Sequence, residues 1–524
     1  MTTAAPGRRR RAPALDLNAY QEQLASFTTE LGEARWASLS SGSAAATAPI
    51  YDRHESLFSR SAVDALTKLR DAGGETADTA RALVPFAAEG YAERQVVELS
   101  DRIAAAEARA VIVWRGERIG YAAAPVRIAE ISERSERNGL DASYREAAEA
   151  INPLREERLL RQRAAWAELG HADPFAMVAA TRGIDFNELT GQMQRFLVES
   201  ETPYFAALRR FLAEIDIEQG DASVADLWHV LRGAGWDAWF AERRLRPAID
   251  DTLAGLDMDA ATRSRVSLDL ERGVIGQSSC VPVSVPGDIR VSLRPRGGCA
   301  DFEALLHQVG RAEALAHVSP DAPAAYRYAG DHSIGEVYGW IFQHLTLEAD
   351  WLTTELGMSE DELVSWRDFA AFRMVHEMRR MIAGYFYEQR LHGPGGPALQ
   401  RAYYAGTLGM LTGVRYPESS YLADVADNLH GAQRFRGWCA GSSLADWLRR
   451  NHGGGWWRTR AAGEALRQGW GRGRQSNVDA LVAHLGYDHL DWRPILRQIR
   501  THLIGEMSGY GGPNITTRAG TRKV

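Results

Sequence analysis

Four residues in two successive helical stretches have the types and spacing to do chemistry. In the run DFEALLHQVGRAEALAHV from Asp301, His307 precedes Arg311 by four residues with Gln308 beside it, and Glu336 follows 25 residues beyond Arg311. The pattern HExxH on a helix turns two imidazoles to one face, where they bind Zn²⁺, and keeps the intervening carboxylate as general base. A Glu on a following helix is frequently the third ligand. The spacing of that frame is present here, and two of its four groups are changed. Gln308 cannot act as a base at physiological pH. Arg311 stays protonated and offers a metal no lone pair.

The elements that must position these residues are mostly helical. The chain has 524 residues, 45% hydrophobic and 25% charged, enough for a large core and for more than one lobe. From 17 to about 272 apolar residues return at three- and four-residue steps, as in Tyr20, Leu24, Phe27 and Leu31, which predicts a helical N-terminal lobe. The stretch AVIVWRGERIGYAAAP, near 110–125, predicts a hairpin inserted among those helices. Between 273 and 299, Pro282, Pro286, Pro295 and a Gly-Asp turn separate short β-branched runs, so a hairpin or small sheet is expected immediately before the helices of 301–351. Its edge has two readings, a purely structural hairpin or an acceptor for an extended peptide backbone. Further helices are expected at 361–391, 398–414, 421–451 and near 495–503, completing a second lobe over 273–508. Flexible tails are expected at 1–16 and 509–524.

Composition removes several classes of function. A net charge of -7 gives no footprint for nucleic acid. Lys68 and Lys523 are the only lysines, so arginine carries almost all positive charge. Cys280, Cys299 and Cys439 are too scattered for a disulfide framework and read as reduced thiols of a cytoplasmic protein. No apolar run follows the N-terminal arginines, so no signal peptide is expected, and no stretch approaches the roughly 20 apolar residues of a membrane span.

The segments VPGDIRVSLRPRGGCADFEALLHQVGRA, GDHSIGE and WWRTRAAGEAL resemble the thimet oligopeptidase and oligoendopeptidase type of gluzincin zinc metallopeptidase, and the resemblance extends over most of the chain. In that family the second His follows the first by four residues and the Glu ligand comes 25 later, which lands on His307, Arg311 and Glu336 without a gap. The resemblance implies a mainly α, two-lobed fold with a deep channel, a small β-hairpin or sheet on its wall and the site at its floor. It also implies that LHGAQRFRGW, from Leu429 to Trp438, replaces the segment whose tyrosines hold the oxyanion, with His430 and Arg434 in their places. Only His307 and Glu336 would be left to hold zinc, so no metal and no other cofactor is expected. On the family geometry Arg311 would point at Glu336 from the former metal position and offset its buried charge.

Two readings of the site remain open. In one, the Arg311–Glu336 ion pair merely keeps an inactive site folded. In the other, Arg311, Arg434 and Arg436 with His307 and His430 form a cationic pocket for a carboxylate, sulfate or phosphate group. Gln308, Tyr328 and His332 would then contact the ligand, while His307, Glu336 or His430 moved protons. The function expected is that of a zinc-independent, repurposed enzyme of bacterial specialised metabolism. It would take a small anionic amino-acid- or peptide-derived substrate through cyclisation by intramolecular substitution, through elimination or through transfer. The alternative is a non-catalytic pseudo-peptidase that binds a peptide or partner protein, and a third reading is a residual metallopeptidase. Whether the chain is an enzyme is left open, and a small partner protein or acidic carrier protein is a further candidate partner.

Overall fold

The computed structural model describes residues 15–41, 43–258, 264–393, 395–425 and 429–503. Apart from Leu15 and Asp16, the tails expected at 1–16 and 509–524 lie outside these residues. Helices dominate, with two small sheets among them. In the N-terminal half the main helices are α1 (Leu17–Ser41), α2 (Arg134–Glu168) and α3 (Phe186–Ala213). The stripe of Tyr20, Leu24, Phe27 and Leu31 is buried, as its spacing requires. One continuous apolar core runs from Tyr20 to Leu503. Among the described residues no helix is long and apolar enough to cross a membrane.

The insert near 110–125 is an antiparallel hairpin of β1 (Val111–Trp114) and β2 (Glu117–Gly120). Its two turn residues, Arg115 and Gly116, have φ of 50° and 85°, a left-handed pair whose twist suits a two-residue connection. Paired Ile112 and Ile119 face inward onto a small separate core with Ile128 and Leu140.

The second sheet has the order β3-β5-β4, with β3 at Val266–Asp269, β4 at Ser278–Ser284 and β5 at Asp288–Leu293. The β4–β5 hairpin lies where its prolines and Gly-Asp turn put it. Strand β3 corrects the helical reading of 17–272. Four residues are too few to show a period, and what makes them a strand is non-local parallel pairing, with Val266 opposite Ile289. The edge of the sheet is also less open than an acceptor strand requires. Thr29 Oγ1 of α1 donates to the carbonyl of Val283 at 3.0 Å, and a Cβ on Gly32 would stand 2.7 Å from Pro282 O, so α1 covers this half of β4.

Five later helices carry the site region: α4 (Cys299–Ala316), α5 (Ser333–Gln343), α6 (Glu360–Leu391), α7 (His430–His452) and α8 (Arg460–Trp470). The helix expected at 421–451 begins only at His430. Leu429 has φ 54°, and a left-handed residue cannot continue a right-handed helix.

Helices α4, α5 and α7 approach each other through glycine. A Cβ on Gly310 of α4 would meet Tyr338 O at 2.4 Å. On Gly339 of α5 it would meet the His307 ring at 2.5 Å, and on Gly437 of α7 it would meet Glu336 Cβ at 2.4 Å. Close backbone approach at these three places brings His307 and Glu336 side by side. Gly310→Ala should therefore destabilise the protein by about 1–3 kcal/mol through overpacking. Gly191→Ala in α3, where an added Cβ meets nothing within 4 Å, should stabilise it by up to about 1 kcal/mol. Urea unfolding reads both, and equal effects would show that the α4–α5 approach is not tight.

Candidate functional site

The site begins where β5 hands over to α4. Asp301 Oδ2 accepts from the backbone N–H groups of Arg296 and Gly297, at 2.9 and 2.7 Å, and so fixes the turn that aims the helix. Two turns on, the His307 ring lies over Gly339 with Nδ1 at 3.0 Å from Gln343 Oε1. With the Gln343 oxygen accepting from Nδ1–H, the Nε2 lone pair faces Glu336 Oε2 across 3.6 Å. Both groups are buried. Burial, stronger than the pull of Glu336, drives the His307 imidazole down to about 4, so it is neutral at pH 7. Burial alone would push the Glu336 carboxyl up, but its coupling to the His307 ring, together with the Arg311 and Arg434 guanidiniums, outweighs that and holds the group below its usual range.

The guanidinium that meets Glu336 comes from α7. Arg434 Nε lies 3.8 Å from Glu336 Oε2, its Nη2 is paired with Glu377 of α6, and its guanidinium stacks over Trp438 at 4.9 Å. Arg434 and Glu377 border a cavity of about 350 Å³ whose wall also carries Glu303, Arg373, His344 and His430. The charges along it alternate and are mostly matched: Arg373 pairs with Glu303 at 2.5 Å and Arg380 with Asp424 at 3.3 Å. Burial lowers the His430 imidazole, so it too enters the cavity as a neutral ring at pH 7.

The expected site residues therefore divide. His307, Glu336, His430 and Arg434 come together. Arg311 does not pair with Glu336. Its stem runs beside Gly335, with Nε 3.6 Å from where a Cβ would be, and its Nη1 reaches Gln308 Oε1 at 3.4 Å. Gly335 presents no side chain to hold it off α5, and Arg434 already occupies the approach to the carboxylate. Gln308 in turn donates to Ser278 Oγ at 3.1 Å, tying α4 to the start of β4. Arg436 faces away from the cavity, bound to Asp479 at 2.6 Å and Asp331 at 3.4 Å. Two residues along a helix is more than half a turn, so Arg434 and Arg436 cannot share a face. Tyr328 supports the sheet, its hydroxyl accepting from Val285 N at 3.1 Å. His332 stands with Arg474, whose Nη1 is 3.2 Å from its Nδ1.

No protein-family model and no curated protein matches this sequence. Solved structures do match. The chain superposes over 95% of its length on 98% of an oligoendopeptidase F from Bacillus anthracis, with a TM-score of 0.62 and 13% identity. The chain has the oligoendopeptidase fold. It is similar also to PZ peptidase A in a structure with an inhibitor, at TM-score 0.61 and 12% identity over 95% of this chain and 97% of that one. A Pyrococcus furiosus carboxypeptidase gives 0.59 and 12% identity over 93% and 98%.

On this fold, the donor set does not fit a catalytic zinc ion. His307 and Glu336 supply two donors, a guanidinium supplies none, and three protein ligands are the norm. Among the described residues no three His, Cys, Asp or Glu side chains converge as a cation site.

Sequence reasoning missed Gln343, Glu377 and Arg474. A signal for Glu377 exists: Arg373, Glu377, Arg380, Gly384 and Glu388 recur at three- and four-residue steps in α6, a polar stripe on a helix with many buried apolar residues. Gln343 and Arg474 carry no such pattern.

Burial of neutral imidazoles gives stability a pH dependence. His307 and His344 are pushed down to about 4 and His376 to about 3, in each case mainly by desolvation. The unfolded chain titrates these groups near ~6.5, so it binds more protons between the two values. Their contribution is complete above that range and is lost as pH falls through it. Urea midpoints should therefore drop steadily from about pH 7 to about pH 4, with a shallower slope in His307→Gln. A flat profile would contradict neutral burial.

Proposed function

We propose that this chain is a zinc-independent relative of the oligoendopeptidases whose channel binds an anionic amino-acid- or peptide-derived substrate. It would catalyse a non-hydrolytic step of bacterial specialised metabolism: cyclisation by intramolecular substitution, elimination or transfer. The observation that carries the reading is the pair His307–Glu336. Its donor atoms face each other at 3.6 Å, and the positions that the family resemblance assigns to the second imidazole and the base hold Arg311 and Gln308.

Such a pair can still move protons. Neutral His307 presents its Nε2 lone pair, and the adjoining carboxylate stabilises the imidazolium that forms on accepting a proton. In an intramolecular substitution the proton of the attacking group would pass to Nε2, and the departing group would leave with the bonding electron pair toward a guanidinium. Fixed guanidinium donors stabilise developing negative charge without reorganisation. His430 on the cavity wall is the second group placed to exchange a proton.

Metal analysis of the purified chain tests the proposal directly. Wild type should hold far less than one zinc per chain. The double substitution Gln308→Glu/Arg311→His, which completes the HExxH set beside Glu336, should raise zinc occupancy toward one per chain. One tightly held zinc in wild type, together with peptide hydrolysis, would overturn the reading.

A further inference from the structure

Nearly every arginine around the site has a carboxylate partner. Arg434 has Glu377, Arg373 has Glu303, Arg380 has Asp424, Arg436 has Asp331 and Asp479, and Arg182 has Glu89 at 2.6 Å. Arg311, Arg327 and Arg474 differ. Among the described residues none of the three forms an ion pair: Arg327 turns to the Val285 carbonyl at 3.0 Å, Arg311 reaches only Gln308, and the side chain of Arg474 reaches the Tyr328 carbonyl at 3.3 Å and His332 Nδ1 at 3.2 Å. All three border the same small cavity of about 30 Å³ with Gly335, Tyr338 and Trp470. Arg474 also opens onto a cleft of about 410 Å³ beside Arg182 and Gly330.

Two unmatched guanidiniums on one wall repel each other. Arg474 registers this: burial, then the charges of Arg311 and Arg182, bring its guanidinium down to about 10. Asp331 is the nearest anion that could relieve it, but that carboxylate is committed to Arg436 and to the backbone N–H groups of Ser333 and Val478. The Arg474 backbone is fixed, its N–H donating to Tyr326 O at 2.8 Å, so the charge cannot simply withdraw. A guanidinium can only donate, so His332 Nδ1 must accept from Arg474. The ring is then neutral with its proton on Nε2, a third donor on the exposed side of the cluster.

We propose that Arg311, Arg474 and His332 form an oxyanion-binding site that holds the carboxylate, phosphate or sulfate group of the substrate. This rests on the reading of the channel as the site of an anionic substrate, and it moves the anion away from the Glu336–Arg434 pair, where guanidinium charge is already spent on carboxylates. Two planar guanidiniums and, beside Arg474, an imidazole N–H supply charge-assisted donors. Arg311 is the residue that the family resemblance sets in the position of the second imidazole.

Isothermal titration of the full chain with sodium sulfate, sodium phosphate and sodium acetate, against sodium chloride at matched ionic strength, tests the assignment. At least one of the three oxyanions should bind saturably. Its dissociation constant should rise about tenfold or more in Arg474→Gln and in Arg311→Gln. Arg474→Lys, which keeps the charge and loses the fork, should fall between, and Arg246→Gln, at an exposed pair with Asp250, should bind as wild type does. Without added anion, the thermal midpoint of Arg474→Gln should equal or exceed that of wild type, because a like-charge repulsion has been removed. Binding that survives both substitutions and is lost in Arg434→Gln would overturn this assignment and leave the anionic-substrate reading standing. Absence of saturable binding by all three oxyanions would overturn the assignment too, whereas zinc-dependent hydrolysis by wild type would overturn the reading beneath it.

Discussion

How closely three helix backbones can approach one another sets the distance between His307 and Glu336. Gly310, Gly339 and Gly437 lie where α4, α5 and α7 touch, each facing an atom that a methyl group would overlap. Protein interiors are packed too densely to absorb such an overlap without moving a helix. The imidazole and the carboxylate are therefore placed by main-chain packing, and Gln308, Arg311 and Arg434 are side chains added to that frame.

Charge is managed differently on the two sides of α5. Along the 350 Å³ cavity acidic and basic groups alternate, and behind its Arg434 the buried Glu336 is met by that guanidinium together with a neutral imidazole. Buried ion pairs of this kind do little for net stability, since desolvation cancels most of the attraction, but removing one partner leaves the other stranded at a cost of several kcal/mol. On the far side the rule is broken by Arg311 and Arg474, which have backbone, amide and imidazole partners and, among the described residues, no carboxylate.

Much of this was legible in the sequence. The four-and-25 spacing of the family resemblance put His307 beside Glu336, and the two stand 3.6 Å apart, but it put Arg311 there as well, and Arg311 turns to Gln308 instead. The Arg115–Gly116 turn announced its hairpin, and prolines announced β4 and β5. Strand β3 was hidden because its identity comes from a distant partner and not from its own four residues. The late start of α7 was hidden because a single left-handed residue, Leu429, stops it, and leucine gives no warning of that. Arg311 and Arg436 were misdirected for geometric reasons. The choice between Arg311 and Arg434 as the partner of Glu336 depends on which helix arrives first at the carboxylate, and the face of Arg436 follows from helical phase that a charge count ignores. Gln343 and Arg474 are isolated polar residues whose importance lies wholly in what the fold puts beside them.

The glycine contacts also bear on how such a protein can change over generations. A site whose geometry is enforced by a bound ion loses its shape when a ligand mutates, so the first substitution is penalised twice, in activity and in folding. Here main-chain contact at Gly310, Gly339 and Gly437 sets the register of His307 and Glu336. A substitution at 308 or 311 therefore changes the groups on offer while leaving that register in place.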